Sequence, residues 1–421
     1  MKEKNITISD IGLEGTKKKP VVPENKTNKK KKTTKSGSRS AIEKNKLILI
    51  ILIVIIGFAI GGFLIYSVIA YSPTETSKLI NYDEGFLKVG DTKKTTLKNY
   101  RLPEPSEPRT KINPINGNLL TSTEFNEYSK RIPVAVMVNN HAAARPQANL
   151  SKADVVYEAL AESGITRYMP IYWQNAVTKV GPIRSVRQYY LEWLSEYDAV
   201  FIHDGYASGE DPKIDAGGNM YRYNIKTIST QGAWRESSRV APHNEYSSVA
   251  NALNIAEKRD WFGLPTNFES WKFKNDAPKN ERGNTASVSI EPHSGIRNGG
   301  LYDSTWVYDK DSNVYLRYIA NTPDMDEVTG TQVMAKVVIL QETKMTPTYN
   351  EKAHIIIETQ GTGKATILMD GKVVDSTWKK ESRTKRTKFY DSDDNEIQFN
   401  RGQIWIISIA KDVGSFDIIE Q

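Results

Sequence analysis

The sequence predicts an α/β domain followed by a mostly β domain, both carried behind a single N-terminal transmembrane helix that follows a disordered cytoplasmic tail. Three observations predict this. Residues 47–70 form a run of 24 residues without a charge, directly behind a lysine-rich tail. Residues 130–270 alternate short apolar, strand-like runs with helical patterns. From Thr305 onward the chain reads as successive strands separated by turn residues.

The tail and span come first. Residues 1–46 carry 14 Lys and Arg against 5 Asp and Glu and are poor in aromatics, so they are expected to be disordered. At about 1.5 Å per residue the apolar run makes a helix roughly 36 Å long, enough for a hydrocarbon core about 30 Å thick. A cleaved signal peptide would have an apolar region of about 7–15 residues and an A-x-A-like site behind it. Here the run ends Ser67-Val68-Ile69-Ala70-Tyr71-Ser72-Pro73, which favours retention as an anchor over 47–71. The positive-inside bias then keeps the N-terminus cytoplasmic and places residues 72–421 outside, as a single-pass cell-membrane protein with extracellular domains. The runs Lys17-Lys18-Lys19 and Lys29 to Lys32 suit anionic lipid on the cytoplasmic face, or act solely as a topology signal.

Charge and cysteine usage exclude several functions. The formal charge is +7, but the tail alone holds an excess of nine positive charges, so the rest of the chain is slightly acidic. Bulk phosphate binding needs clustered Lys and Arg, which argues against nucleic acid as a partner. There is no cysteine, hence no disulfide, no thiol catalysis and no Cys-based zinc site.

Past the span, residues 72–129 read as a stalk, because Pro103, Pro105 and Pro108 favour extended backbone. The α/β domain is expected over 130–270. Residues 132–138 are a nearly unbroken apolar run, the pattern of a strand buried on both faces. Residues 154–161 and 167–174 read as two more strands joined by Glu162-Ser163-Gly164. Pro182 suits the first turn of a helix in which Val186, Tyr190, Trp193 and Tyr197 recur at helical spacing. Residues 199–202 form a short strand, and 246–259 a later helix. Residues 271–304, rich in Lys, Asn, Gly and Pro, read as a linker to the β domain at 305–421. Within that domain Asp370-Gly371 between two alternating segments signals a tight hairpin.

Polar residues of the first domain gather at strand ends. Asn140, His141 and Arg145 follow the first strand, and His203 with Asp204 follow the strand 199–202. If these strands run parallel, both groups emerge at the carboxyl edge of the sheet, where open α/β sheets place ligands. Arg184, Ser185 and Arg187 behind Pro182, together with Arg167, would hold a phosphate, carboxylate or sulfate. The alternative is that these arginines pair internally with Glu158, Glu162 or Glu192, since Arg is the usual partner in buried ion pairs. Glu158, Glu162 and His243 are the acid/base candidates. No H-E-x-x-H spacing, G-x-S-x-G elbow or full S-x-x-K set exists, so no metal, no cofactor and no catalytic residue is assigned.

The segments 134–141 with Arg145-Pro146-Gln147, 150–162, 164–167 and 181–187 resemble the YerB-like family of bacterial envelope proteins, whose function is unknown. Trp378-Lys379-Lys380 and residues 402–406 are similar to that family's separate C-terminal domain. The resemblance covers about 132–410. It implies an N-terminal α/β domain and a β-rich domain in an extracytoplasmic protein, and no established reaction. Many members are lipoproteins anchored through a cysteine, which this chain lacks, and its transmembrane helix is expected to take over that role. The expected function is an envelope protein that binds an anionic or glycan wall ligand, or a wall-remodelling partner. The alternatives are an envelope enzyme acting on a phosphorylated or glycan substrate, and a structural assembly protein without a small ligand.

Overall fold

Residues 134–138 alternate their side chains between two buried layers, and that double burial organises the molecule. Ala135 and Met137 enter one core and Val134, Val136 and Val138 the other, because successive strand residues face opposite sides. The structure, a computed structural model, describes residues 107–293 and 299–420.

Among the described residues the largest sheet has eleven strands. Its order is Lys388–Tyr390, Lys372–Lys380, Gly361–Met369, Val337–Thr343, Ile404–Ala410, Val155–Leu160, Thr166–Tyr172, Val134–Val136, Val200–Ile202 and Thr227–Ser229, with Val138–Asn139 also on Thr166–Tyr172. Strand Ile404–Ala410 lies parallel to both Val337–Thr343 and Val155–Leu160. One sheet therefore runs through both halves of the sequence. Val134–Val136 also pairs parallel with Val200–Ile202, in register from Val134 opposite Val200. Asp370-Gly371 closes the hairpin between Gly361–Met369 and Lys372–Lys380 with both residues at positive φ, the backbone that two-residue hairpin loops demand.

Each face of this sheet has its own cover. One packs on helices Gln188–Leu194 and Ala216–Arg222 and on Trp271 and Phe399. The other meets a six-stranded sheet through Val288, Ile290, Trp306 and Tyr315, and helix Val249–Glu257 through Val249, Ala252 and Ile255.

This corrects the expected fold class. The described part is mostly β, with four α-helices of 7 to 9 residues, and the first half is not a clear α/β layer arrangement. Helices that short cannot cover a sheet, so a second sheet takes much of that task. The helix expected from Pro182 instead begins at Gln188. Before it the chain is extended, because Ile183 N–H donates to Glu245 O, Arg184 N–H to Met137 O and Val186 N–H to Gly205 O. The expected transmembrane helix 47–71 and disordered tail 1–46 lie outside the described residues. Among the described residues no helix is long and apolar enough to cross a membrane.

A buried ion group joins the two sheets. Glu158 lies on the face shared with Val156, and both its oxygens accept from Arg317 Nη2 at 3.1 Å. Arg317, on Val314–Ile319 of the six-stranded sheet, also pairs with Asp324, and its side chain is fully buried. Trp405 Nε1 donates to Glu158 at 2.9 Å, and the guanidinium sits 4.9 to 5.7 Å from the ring centres of Trp405, Tyr168 and Trp306. Burial disfavours the charge on Arg317, but Glu158, Tyr168 and Asp324 more than offset it and hold the side chain protonated. Removing one member of such a group leaves an uncompensated charge in the core. Arg317→Met is thus expected to cost about 3–5 kcal/mol in urea unfolding, whereas a loss below about 1 kcal/mol would mean that the sheets hold together without it.

Candidate functional site

Three chain segments converge where Val134–Val136 and Val200–Ile202 end. The parallel pairing sends His141 and Asp204 out at the same sheet edge, and the extended stretch around Arg184 threads between them. Arg184 N–H donates to Met137 O, and Arg184 O accepts from Asp204 N–H at 3.1 Å. Gly205 has φ +77, and an added Cβ would stand 3.0 Å from Ser185 Oγ, so this turn is built for glycine.

At the edge, His141 and His243 stack with ring centres 4.3 Å apart and planes 17° from parallel. Asn139 Nδ2 lies 3.0 Å from His243 Nδ1, and His141 Nδ1 accepts from Ala143 N–H. Burial, then His141 and Arg184, push the His243 pKa down, so its imidazole is neutral near pH 7. Asp204 and Glu245 form a carboxyl pair bridged by Arg235, which reaches Asp204 at 3.6 Å and also binds Glu245. Burial, then the hydrogen bond and charge of Asp204, push Glu245 up to about 7 against the pull of Arg235 and Arg184. Glu245 therefore keeps its proton up to near neutrality. Arg184 is half-buried beside these groups, and its guanidinium makes no hydrogen bond or ion pair within the described residues.

Other expected site residues are spent internally. Glu162 takes Arg187 on both oxygens and Arg167 at 3.2 Å. Burial raises its pKa, but the two arginines outweigh that and hold it below the ordinary carboxylate range. Arg187 also donates to Val186 O, and Arg167 to the carbonyl of Ser185. Arg167 itself is lowered to about 10 by burial and then by Arg187. Arg145 holds Asn140 through its side-chain and backbone oxygens, each at 3.0 Å. His203 is buried with Nδ1 3.0 Å from Gly205 O and Nε2 2.9 Å from Thr227 Oγ1. A carbonyl only accepts, so Nδ1 carries the proton and the ring is occupied on both sides. Glu158 belongs to the Arg317 group. Sequence reasoning passed over Arg235 and Glu245; the clue was Glu245 two residues after His243. Among the described residues no group of three or more His, Asp or Glu side chains is placed to hold a metal.

Residues 120–262 match the family described as "Protein of unknown function (DUF3048) N-terminal domain", and 296–406 its C-terminal domain. "Putative lipoprotein YerB" of Bacillus subtilis (strain 168) is 30% identical over 302 residues, 69% of this chain and 84% of that protein. The chain belongs to the YerB-like family. The crystal structure of Bacillus subtilis YerB superposes with a TM-score of 0.61 at 25% identity, covering 73% of this chain and all of that one. The expected single-pass, cell-membrane localisation is corrected at this point. The YerB name describes a lipoprotein, a class that needs no spanning helix, and the described residues hold none.

The carboxyl pair has a pH signature. The folded state keeps the Glu245 proton that the unfolded chain releases above about 4.5. Stability should therefore fall as pH rises from 4.5 toward 7 and flatten above it. Glu245→Gln should remove that slope in urea midpoints measured across the window; a slope left intact would assign it to other groups.

Proposed function

We propose that this chain is an envelope-associated binding protein whose sheet-edge cluster receives an anionic group of a wall polymer. The association with the envelope draws support from the lipoprotein name of its Bacillus subtilis relative. The observation that carries the binding reading is Arg184. Arg145, Arg167 and Arg187 each spend their donors on internal acceptors, whereas the Arg184 fork has none within the described residues. A half-buried guanidinium has donors in a planar fork that match carboxylate or phosphate oxygens. The stacked imidazoles add N–H donors beside it. A bound anion would favour the protonated form of His243.

A second reading, an enzyme acting on a phosphorylated or glycan wall substrate, is favoured by one observation. Glu245 titrates near neutrality next to Asp204, as a general acid would.

Retention of the full chain, kept in non-ionic detergent, on purified wall carrying its anionic polymers separates these readings. Binding predicts that Arg184→Gln weakens retention by about tenfold, as loss of a charge-assisted contact would, and that stripping the anionic polymers has the same effect. The binding reading fails if the variant is retained like the parent. The enzyme reading predicts instead that Glu245→Gln abolishes turnover of the wall while retention is unchanged.

A further inference from the structure

A second place in the fold has unspent cationic donors, and none of the sheet-edge residues contributes to it. A cavity of about 250 Å³ opens beyond the end of helix Gln188–Leu194, with Ser195, Tyr223, Phe268, Arg383 and Arg386 among its lining residues. The aromatic rings give it apolar walls, and its charged lining sets Glu196, Asp198 and Glu269 against Lys226, Arg383 and Arg386.

Arg386 is the unusual member. Its side chain is almost fully buried, with the guanidinium carbon 3.6 Å from the ring centre of Trp271 and 4.3 Å from that of Tyr197. Those contacts occupy the flat faces of the fork and leave its edges for hydrogen bonds. Nη1 donates to Glu196 at 3.3 Å. Nε and Nη2 are buried and have no hydrogen-bond partner. These two nitrogens direct parallel N–H bonds from one edge of the guanidinium, the side that takes both oxygens of a carboxylate or two of a phosphate. Leaving buried donors unmet is costly, and native proteins seldom do so without a reason.

Arg383 supplies a second positive charge. It lies 4.3 Å over Tyr223, its Nη1 donates to Ser195 Oγ at 2.6 Å, and it forms no ion pair within the described residues. The nearby acids are matched by other cations. Asp198 pairs with Lys226, Glu269 with Lys385 and Lys388, and Glu196 with Lys380 as well as Arg386. Among the cations that line the cavity, Lys226 and Arg386 each face an acid and Arg383 has none within the described residues.

We propose that this cavity binds an oxyanion, a carboxylate or phosphate group, on the Nε/Nη2 edge of Arg386 with Arg383 as its second cation, and packs the ligand's apolar part on Phe268 and Tyr223. The site is separate from the Arg184 cluster and stands or falls without it. A bound oxyanion would supply the acceptors that Nε and Nη2 lack.

Titration calorimetry on the full chain, with inorganic phosphate in one arm and acetate in the other, tests this. Saturable binding that survives Arg184→Gln is expected in at least one arm, and the arm that binds more tightly separates tetrahedral from planar oxyanions. Arg386→Lys keeps the charge but loses the paired edge, and should weaken binding by about tenfold or more. Arg383→Gln, on the cavity wall and outside the buried Glu196 network, should weaken it several-fold and reduce its salt dependence; it decides the matter if Arg386→Lys fails to fold. The proposal is overturned if neither anion binds, if Arg184→Gln removes all binding, or if binding is unchanged in Arg383→Gln. Failure of the Arg184 reading alone would leave this site's binding intact.

Discussion

The buried contact of Arg317 with Glu158 and Asp324 is the constraint on which the rest of the arrangement depends. A guanidinium with no exposure to water cannot be tolerated unless its acceptors are held in place. Glu158 is fixed by the central strand Val155–Leu160, and Asp324 by the short strand Thr322–Pro323 that folds back on Val314–Ile319, with Asp324 N–H donating to Arg317 O. The group thus sets how the six-stranded sheet seats on the large one. The indole of Trp405 donates to the same carboxylate, and brings in a strand from the far end of the sequence.

A chain of hydrogen bonds runs from that group to the sheet edge. Thr166 Oγ1 donates to Glu158 at 3.1 Å and accepts from Asn140 Nδ2 at 2.7 Å. Asn140 in turn accepts from Arg145 and Gln147, which shape the loop bearing His141. The edge cluster is therefore positioned by polar contacts that begin in the core. On the other face of the sheet, Glu196 plays a comparable part, gathering Lys380, Arg386 and Thr387 against the end of helix Gln188–Leu194. Both networks connect residues from opposite halves of the sequence.

Local signals made much of the fold legible. The Asp370-Gly371 pair marked its hairpin because few other dipeptides accept two positive φ angles. Continuous apolar runs marked the central strands, since burial on both faces leaves no alternation to read. Pro182 misled, because proline suits extended backbone as readily as a first helical turn, and here carbonyls from other segments claimed the neighbouring amides. At the site, residues just past strand ends were readable from position alone, which is how His141 and Asp204 were reached. The fates of Arg167 and Arg187 were not. Whether an arginine meets Glu162 or open solvent depends on packing between segments. Arg317 and Glu158 are 159 residues apart, a separation that no local pattern encodes.

Native-state hydrogen exchange measured strand by strand tests the central claim most directly, namely that both halves of the sequence form one cooperative sheet locked at Arg317. The amides of Val155–Leu160, Ile404–Ala410 and Val314–Ile319 should open together, with one shared free energy close to that of global unfolding. Exchange of Ile404–Ala410 and Val314–Ile319 at a distinctly lower free energy, while Val155–Leu160 stayed protected, would contradict it.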